Sequence, residues 1–303
     1  MDLTIILLNW NTRDLLRQAL LSIKHSQPGI KYEIIVVDNA SEDKSREMVT
    51  EEFPEVTLIV SKRNVGFAAG NNLAIWQAQG RYILFLNSDT QVVGDALETL
   101  VRCGDSSPDI GILGPKLLNA DGSLQYSCRH YPNLATGFFR NTPLGRLFPG
   151  NKYNSDYLMT NWDHAVLRDV DWVSGAAIMM RRELIEQIGS FDDSYYMYCE
   201  DVDICRRTTL ASFAQNPEKM WRVVYYPESV IYHYIGRSSD KAPARMTYEF
   251  HRSQYLFYRK HYMSQTPFWL RPIIPLGIGL RAAGQILRFR VRRLQRQLQG
   301  KKK

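Results

Sequence analysis

The chain of 303 residues is 45% apolar and 23% charged, an ordinary composition for a globular protein with a large core. Its four cysteines form no C-x-x-C pair and its N-terminus shows no signal sequence, which predicts a reducing cytoplasmic setting. The net charge of +7 arises at the C-terminal end, because no Asp or Glu follows Glu249 whereas 13 Lys or Arg residues do. A nucleic-acid-binding domain would carry basic residues on its folded body, so this distribution disfavours nucleic acid as a partner.

The first part of the chain alternates strand and helix patterns. Apolar runs predict strands, and apolar residues at helical spacing predict the helices between them. The expected strands are Leu3 to Leu8, Glu33 to Val37, Val56 to Val60 and Tyr82 to Leu86. The expected helices are Arg13 to Lys24, Glu42 to Phe53 with Ser41 as N-cap, and Ala68 to Gln79. Because βαβ units have right-handed crossovers, we expect an α/β protein with a mainly parallel, Rossmann-like sheet flanked by helices.

Polar residues follow each of these strands. The four clusters are Asn9-Trp10-Asn11, Asp38-Asn39, Arg63-Asn64-Val65-Gly66 and Asn87-Ser88-Asp89. The carboxyl ends of parallel strands meet at one edge of a sheet, so the clusters predict a polar crevice of nucleotide size. Asp89, just past a buried strand, is placed to hold a metal ion or a phosphate-bearing ligand. Neither G-x-G-x-x-G nor a P-loop is present, which disfavours a dehydrogenase and a P-loop NTPase.

The second part of the chain is less regular. A turn at Asp121-Gly122 predicts a hairpin between residues 116–119 and 124–126, and residues 131–163 are expected to form a long loop. The spacing after Cys199 predicts a helix with Glu200 and Asp201 in its first turn. Acidic residues favour the positive end of a helix dipole, so their position alone does not require catalysis.

An ordered set of motifs extends over roughly residues 1 to 260. The first half contains Leu8-Asn-Trp-Asn-Thr12, Ile35-Val-Val-Asp-Asn-Ala-Ser41, Asn64-Val-Gly-Phe-Ala-Ala-Gly-Asn-Asn72 and Phe85-Leu-Asn-Ser-Asp89. The second half contains Trp172-Val-Ser-Gly-Ala176, Gly189-Ser-Phe-Asp192, Tyr198-Cys-Glu-Asp-Val-Asp-Ile-Cys-Arg206 and His233-Tyr-Ile-Gly236. In this order the motifs resemble the family-2 glycosyltransferases, most closely the rhamnosyltransferase-like and galactofuranosyltransferase-like branch.

The resemblance implies a GT-A fold with a nucleotide-diphospho-sugar donor bound between two halves. The expected domain is residues 1–245, with a nucleotide-sugar half at 1–115, an acceptor half at 116–245 and a helical tail at 246–303. Asp38 matches the family residue that hydrogen-bonds the base. Asn64, Asn71 and Asn72 would lie near the ribose and diphosphate. In all, the resemblance implies eight donor-binding residues: Asn9, Asn11, Asp38, Asn64, Asn71, Asn72, Asn87 and Ser88.

The resemblance also implies a divalent cation, either Mg²⁺ or Mn²⁺. The Asp-x-Asp motif of the family reads Asn87-Ser88-Asp89 here, so a neutral amide replaces one anionic ligand. Asp89 is then expected to bind the metal together with His233, which matches a histidine ligand of the family. A lone histidine after a strand also has a purely structural interpretation. The substitution at Asn87 leaves strict metal dependence open.

The family pair Glu-Asp falls on Glu200 and Asp201, which implies an inverting, single-displacement transfer. Asp201 would accept the proton of the attacking hydroxyl, and Glu200 would orient the acceptor, whereas Asp203 is expected at the helix surface. The bound cation would offset charge on the leaving nucleoside diphosphate. Rhamnose from dTDP-rhamnose is the expected donor, with UDP-linked galactofuranose or another hexose as alternatives. The expected acceptor is a glycan or lipid-linked hydroxyl in cell-surface polysaccharide synthesis.

The C-terminal tail predicts peripheral attachment to the cytoplasmic face of a membrane. Apolar residues repeat at helical spacing between 280 and 298 among many arginines, and Phe268 and Trp269 precede them. The apolar stretch is too short to span a bilayer, but a basic amphipathic helix suits an anionic membrane surface. A basic oligomerisation helix is the alternative, and the oligomeric state itself is not predicted.

Two other classes of function were weighed against a transferase. A nucleotidyltransferase would carry a Gly-rich, basic loop after its first strand, which Asn9-Trp-Asn-Thr-Arg13 does not provide. A non-catalytic sugar-nucleotide-binding membrane protein is the second alternative, suggested by Asn87. The presence of Asp89, His233 and the Glu200-Asp201 pair favours an enzyme.

Overall fold

A computed structural model describes residues 1–26, 29–132, 136, 152–234 and 243–300. Its strands are β1 (Leu3–Asn9), β2 (Tyr32–Asp38), β3 (Thr57–Val60), β4 (Tyr82–Asn87), β5 (Thr90–Val92), β6 (Ile110–Leu118), β7 (Leu124–Gln125), β8 (Cys128–Arg129), β9 (Arg168–Asp169), β10 (Trp172–Val173), β11 (Ala177–Arg181), β12 (Ser212–Phe213), β13 (Asn216–Met220) and β14 (Arg222–His233). Its helices are α1 (Arg13–Ser26), α2 (Ser45–Glu52), α3 (Phe67–Ile75), α4 (Ala96–Ser106), α5 (Lys152–Leu158), α6 (Arg182–Ile188), α7 (Glu200–Thr209), α8 (Pro243–His261) and α9 (Ile273–Gly300).

The central sheet has the strand order β3-β2-β1-β4-β11-β6-β14-β5. β11 runs antiparallel to both of its neighbours and β5 runs antiparallel to β14, while the other neighbours on this path are parallel. The expected α/β class with a mainly parallel sheet is confirmed. The predicted hairpin is confirmed as well, because β7 pairs antiparallel with the end of β6.

The sheet is covered by apolar side chains on both faces. Along β1, Ile5 belongs to one core cluster with Leu16 of α1, and Ile6 belongs to the opposite cluster with Ala74 of α3. Successive residues of a strand point to opposite faces, so a strand covered on both sides needs a continuous apolar run. This requirement explains the sequence of β1, in which residues 3–7 are all fully buried.

The register brings the polar strand ends to one edge of the sheet. Asn9 pairs with Asp38, Asp38 pairs with Val60 on the next strand, and Leu8 pairs with Asn87. The predicted meeting of these clusters is confirmed, since β3, β2, β1 and β4 are adjacent and parallel.

Two helix boundaries differ from the sequence-based prediction. Ser41 is not the N-cap of α2, which begins at Ser45 after Lys44 in a left-handed conformation (φ 63°). The Ser41 hydroxyl accepts a hydrogen bond from the backbone N–H of Asn11 at 3.0 Å, so a tertiary contact takes the place of the cap. Helix α3 ends at Ile75 instead of continuing to Gln79.

Helix α8 begins before the expected start of the helical tail at residue 246, and it packs against the α/β core. Phe257 and Tyr258 are buried, and the Ser253 hydroxyl donates to the carbonyl of Met197 at 2.9 Å. The expected boundary between residues 245 and 246 cuts through α8. Because α8 is bonded to the core through Ser253 and Met197, we infer that the folded domain extends through α8. Among the described residues, no helix is long and apolar enough to cross a membrane. The expected loop at 131–163 lies partly outside the described residues.

Candidate active site

A buried polar cluster forms where β1 and β2 end. Asp38 is 1% exposed, and its carboxylate accepts hydrogen bonds from the Ser41 N–H at 3.1 Å and from Arg46 Nε at 2.6 Å. The Asn9 amide donates to the Ser41 hydroxyl at 3.1 Å, and Asn11 accepts from the Glu42 N–H at 2.7 Å. The structure therefore brings the predicted Asn9, Asn11 and Asp38 together. It holds them in a network that includes Arg46, which compensates the buried carboxylate.

A second network, centred on Asn39, joins the two halves of the domain. The Asn39 amide donates to Asn64 Oδ1 and to the Gly66 carbonyl, both at 3.1 Å. The Tyr196 hydroxyl also donates to Asn64 at 2.9 Å, and the Tyr196 carbonyl accepts from the Phe67 N–H at 2.7 Å. A Cβ at Gly66 would lie 2.3 Å from that carbonyl oxygen, so a glycine is needed for this close approach.

These strand ends border a polar cleft with an aromatic wall. The lining residues are Leu8, Trp10, Asn39, Asn64, Gly66, Phe67, Asn87, Ser88, Asp89, Tyr196, Met197 and Met246. Four of the predicted site residues are therefore in the cleft, namely Asn64, Asn87, Ser88 and Asp89. The cleft also includes Met246 of α8, which supports placing α8 with the catalytic unit.

The structure places Asn71 and Asn72 behind the cleft wall. The Asn71 amide donates to the Phe67 carbonyl at 3.0 Å, within the same helix. The Asn72 amide donates to the Phe191 carbonyl at 2.8 Å, across to the second half of the domain. The Asn72 amide therefore ties α3 to the second half of the domain, and neither residue lines the cleft.

Asn87, Asp89 and His233 converge from two neighbouring parts of the sheet. Thr90 of β5 pairs with His233 of β14, which places the histidine beside the end of β4. His233 Nε2 lies 3.4 Å from Asp89 Oδ1 and 3.5 Å from the Asn87 amide nitrogen. Ile235 and Gly236 of the histidine motif lie outside the described residues.

This side-chain set fits a hard divalent cation. Asp89 offers a carboxylate that is 5% exposed, His233 an imidazole and Asn87 an amide. Such oxygen and nitrogen ligands suit Mn²⁺ or Mg²⁺ when phosphate oxygens and water complete the coordination shell. Within the described ranges, no three His, Cys, Asp or Glu side chains cluster closely enough to hold a metal by themselves. A cation at Asp89 and His233 would therefore depend on ligands from the donor.

Glu200 and Asp201 occupy the first turn of α7, as predicted. The two preceding residues, Tyr198 and Cys199, both adopt left-handed backbone conformations with φ of 71° and 66°. Such strained residues persist where the surrounding structure holds them, and they are frequent at functional sites. They direct the start of α7 toward the loop that contains Gly175.

The two carboxyl groups differ in their surroundings. Asp201 accepts hydrogen bonds from the Gly175 N–H at 3.0 Å and from the Val202 N–H at 2.9 Å. Burial raises the pKa of Asp201 despite these bonds. Burial and the neighbouring Asp201 raise the pKa of Glu200 well above its ordinary value, and Glu200 Oε2 is buried without a hydrogen-bond partner among the described residues. Burial therefore favours the neutral form of both carboxyl groups, and it does so more strongly at Glu200.

A short backbone path connects the carboxylate pair to the cation-binding residues. Gly175 binds Asp201, and the carbonyl of the next residue, Ala176, accepts from the Asn87 N–H at 2.9 Å. A Cβ on Gly175 would lie 3.6 Å from both Asp201 Oδ2 and Phe67 Cζ, and Phe67 lines the cleft. This path therefore links Asp201 to Asn87 at the edge of the cleft. Glu200, Asp201 and His233 are not among the residues that line the cleft.

Asp203 does not face the helix surface, which corrects the sequence-based expectation. It is fully buried, with carboxylate oxygens 2.7 Å from His261 Nε2, 2.9 Å from Lys260 Nζ and 2.9 Å from Arg207 Nε. Burial alone would raise the pKa of Asp203, but the bond from His261 and the charges of Arg207 and Lys260 bring it below the ordinary value. Asp203 thus fastens α7 to α8.

Several residues of the site were missed by the sequence analysis. Trp10, Asn39 and Tyr196 border the cleft, and Arg46 balances the charge of Asp38. Trp10 and Asn39 stand inside the polar clusters at the strand ends, so those clusters could have indicated them. Arg46 and Tyr196 carry no local signal, because their roles depend on contacts with distant segments.

Comparisons with known proteins identify the family. The profile of glycosyl transferase family 2 matches residues 4–189, well over half of the chain. The N-acetylglucosaminyl-diphospho-decaprenol L-rhamnosyltransferase of Mycobacterium tuberculosis is 28% identical over 79% of this chain and 77% of its own length. The hexosyltransferase Agl10 of low-salt glycan biosynthesis from Haloferax volcanii is 26% identical over 68% of this chain and 61% of its own. The rhamnosyltransferase WbbL of Escherichia coli is 28% identical over 53% of this chain and 61% of its own.

Solved structures confirm the GT-A fold. The mannosyltransferase PcManGT from Pyrobaculum calidifontis, in complex with GDP-Man and Mn²⁺, superposes with a TM-score of 0.56 at 19% identity, covering 94% of this chain and 69% of that one. TarS 1-349 of S. aureus, in complex with UDP, gives a TM-score of 0.52 at 15% identity, covering 93% and 81%. The chain therefore belongs to glycosyl transferase family 2 and is a glycosyltransferase of its rhamnosyltransferase-like branch.

Proposed function

We propose that this enzyme transfers rhamnose from dTDP-rhamnose to a hydroxyl of a polyprenyl-diphosphate-linked sugar in cell-surface polysaccharide synthesis, with inversion at the anomeric carbon. The main support is a chain of two hydrogen bonds. Asp201 accepts from the Gly175 N–H, and the carbonyl of the next residue, Ala176, accepts from Asn87 at the edge of the cleft. Transfer from a nucleotide-diphospho-sugar requires a general base and a cation-binding pair near the donor. Asp89 lines the cleft, His233 lies beside Asp89, and Asp201 is joined to the cleft edge through Gly175.

The donor lies in the cleft, with its nucleoside toward β1 and β2 and its diphosphate toward Asp89. The aromatic face of Trp10 and the amides of Asn39 and Asn64 supply stacking and hydrogen-bonding groups for the nucleoside. Asn9, Asn11 and Asp38 support this pocket, and Asn71 and Asn72 lie in α3 behind it. Asn87 and Ser88 lie at the diphosphate end, where the Ser88 hydroxyl is fixed 2.8 Å from that of Thr12.

Asp89 and His233 would hold a divalent cation at the diphosphate end of the donor site, where such a cation would supply positive charge against the leaving diphosphate. Known structures of this fold support the cation, since PcManGT contains Mn²⁺ with GDP-Man. The structure of GalNAc-T7, with a TM-score of 0.55 at 15% identity, contains Mn²⁺ with UDP. In this chain, Asp89 provides the anionic ligand and Asn87 contributes a neutral amide.

Asp201 acts as the general base toward the acceptor hydroxyl. Its raised pKa makes it a stronger base than an ordinary carboxylate, and its two backbone hydrogen bonds fix its direction. Burial raises the pKa of Glu200 and so favours its neutral form, which can donate a hydrogen bond to an acceptor oxygen. A single base opposite the leaving diphosphate supports direct displacement, in which the acceptor oxygen bonds to the anomeric carbon as the donor oxygen departs.

The identity of the donor sugar and acceptor is proposed from the relatives. Two curated relatives are rhamnosyltransferases, and the mycobacterial one is named for a diphospho-decaprenol acceptor. UDP-linked galactofuranose or another hexose remains the second donor candidate, because the hexosyltransferase Agl10 matches over a similar part of the chain.

The tail of the chain supports a location at the cytoplasmic face of a membrane. Phe268 is 80% exposed and Trp269 is 57% exposed, and exposed apolar residues continue along α9 at Leu276, Leu280 and Leu287. The 13 basic residues after Glu249 complement an anionic surface. Side chains beyond residue 291 lie outside the described part. Attachment would place the enzyme beside a lipid-linked acceptor and raise its local concentration.

A transfer assay tests the proposal. The purified protein is incubated with Mn²⁺, a polyprenyl-diphospho-N-acetylglucosamine acceptor and radiolabelled dTDP-rhamnose, and lipid-soluble label is measured. We expect label in the lipid fraction, with an anomeric configuration opposite to that of the donor by NMR. Transfer only from a UDP-sugar would replace the donor assignment. Donor binding without transfer to any acceptor or water would support the non-catalytic alternative.

A further inference from the structure

We infer that Gln125 is a positioning residue that sets the tautomer of His233, so that His233 presents an unprotonated Nε2 to the cation site. The inference rests on the proposed cation-binding role of Asp89 and His233. It concerns a residue of the β6–β7 hairpin, which lies outside every motif of the sequence analysis.

The geometry fixes which way the Gln125 amide is turned. Gln125 Nε2 lies 3.2 Å from the backbone carbonyl of His233, and a carbonyl oxygen can only accept a hydrogen bond. The same nitrogen lies 2.9 Å from Asn119 Oδ1, whose own amide nitrogen donates to the Ser123 hydroxyl and the Leu124 carbonyl. The NH₂ group of Gln125 therefore points at two acceptors, and its oxygen points at the ring of His233.

This orientation determines the proton on the imidazole. Gln125 Oε1 lies 2.7 Å from His233 Nδ1, and a carboxamide oxygen can only accept, so Nδ1 carries the hydrogen. In the neutral ring the lone pair is then on Nε2. That nitrogen lies 3.4 Å from Asp89 Oδ1, which is also an acceptor. Two acceptors that face each other across a small gap are best satisfied by a cation between them.

The hairpin supplies rigidity as well as a hydrogen bond. Two residues of β7 pair with Leu117 and Leu118 of β6, and β6 pairs with β14 next to His233. Gln125 thus binds both the ring and the backbone of His233, which limits rotation of the imidazole. A ligand held in the right tautomer and direction loses less freedom when it binds metal, and loss of such a partner typically costs about 10- to 100-fold in metal affinity.

The test uses Gln125→Leu, which removes the acceptor, and Gln125→Glu, which keeps it. Gln91→Leu is the matched control, because Gln91 lies beside β14 but accepts from Tyr234 instead of His233. Mn²⁺ affinity is measured in the presence of a nucleoside diphosphate. The ring tautomer is read in the metal-free full chain from ¹⁵N shifts of labelled histidine, with His233→Asn identifying the signal among the six histidines.

We expect the wild type to show Nδ1–H at His233, and Gln125→Leu to mix the tautomers and weaken Mn²⁺ binding by about 10-fold or more. Gln91→Leu should keep the Nδ1–H form and bind Mn²⁺ within about threefold of the wild type. Gln125→Glu should also keep the Nδ1–H form, because its carboxylate accepts from Nδ1, although it loses the two bonds that the Gln125 amide donates. An Nε2–H tautomer in the wild type, or unchanged Mn²⁺ affinity in folded Gln125→Leu, would overturn the inference alone. Absence of Mn²⁺ binding in the wild type would overturn the cation role in the proposed function as well.

Discussion

The Gly175 N–H donates to Asp201 Oδ2 at 3.0 Å, and this bond joins the start of α7 to the loop between β10 and β11. The adjacent Ala176 carbonyl accepts from Asn87 at the end of β4. The proposed base and the proposed diphosphate site are thereby held in fixed relation by backbone hydrogen bonds. Backbone groups have little freedom to move, so these bonds fix the position of the proposed base relative to the proposed diphosphate site.

Replacement of the base should abolish turnover without loss of donor binding. Asp201→Asn keeps the size of the side chain but cannot accept the hydroxyl proton, so we expect kcat to fall about 100- to 10,000-fold. Donor affinity, measured by calorimetry, should stay within about twofold because Asp201 faces the acceptor. Asp193→Asn, at an exposed carboxylate near the site, is the control and should leave kcat unchanged. Weakened donor binding in Asp201→Asn would argue against the assignment of the base.

Glu200 should contribute a pH-dependent loss of stability that Glu200→Gln removes. The pKa of Glu200 is raised in the folded chain, so its contribution to stability is full below its unfolded pKa, about 4.3, and is lost as pH rises through the folded value. Glutamine resembles the neutral acid at every pH. Urea unfolding should therefore show Glu200→Gln gaining stability relative to the wild type between pH 5 and pH 8. If the free energies of unfolding of Glu200→Gln and the wild type differ by the same amount at pH 5 and at pH 8, the pKa of Glu200 is not raised in the folded chain.

Gly66 should be irreplaceable because of its neighbour as well as its backbone angle. Gly66 has φ 91° and a Cβ there would meet the Tyr196 carbonyl at 2.3 Å, whereas Gly122 has φ 81° with open space around it. Gly122→Ala should cost about 1 kcal/mol for the backbone conformation alone. Gly66→Ala should cost more and should also weaken donor binding, since the clash moves Tyr196 in the cleft. Equal free energies of unfolding for the two variants would show that the contact is unimportant.

Removal of the tail should release the protein from anionic membranes. A chain lacking residues 267–303 keeps α8 and its buried contacts but loses the exposed Phe268, Trp269 and α9. The full chain should sediment with vesicles containing an anionic lipid and less with neutral vesicles, and high salt should weaken the interaction. A truncated chain that still sediments with anionic vesicles would rule out the tail as the attachment site. Loss of self-association on truncation, without lipid binding by the full chain, would support the oligomerisation alternative.

The parallel half of the fold could be predicted because its signals are local. Most residues of β1, β2 and β4 are buried, and burial on both faces of a sheet requires the largely apolar runs that the sequence shows. The polar strand ends then followed from the topology of βαβ units. The first turn of α7 was predictable for a similar reason, since its apolar spacing begins directly after Cys199.

Features that depend on tertiary contacts could not be predicted in this way. Ser41 has the character of an N-cap, but its hydroxyl is taken by Asn11 from another loop. Asp203 resembles a surface residue in a first helical turn, yet its partners His261 and Lys260 come from α8, far along the chain. The amide of Asn72 finds a carbonyl partner, Phe191, that only the folded chain provides. Partner choice of this kind leaves no periodic signal.

The most direct test of the central claim is a donor screen by thermal shift. The full chain is heated with dTDP-rhamnose, UDP-sugars or GDP-sugars, each with and without Mn²⁺, because a ligand that binds the native state raises the melting temperature. We expect dTDP-rhamnose to give the largest rise in melting temperature. Mn²⁺ should increase this rise, and Asp89→Asn should remove the effect of Mn²⁺. A folded protein whose melting temperature no sugar nucleotide raises would contradict a donor site at Asp38, Asn64 and Asp89.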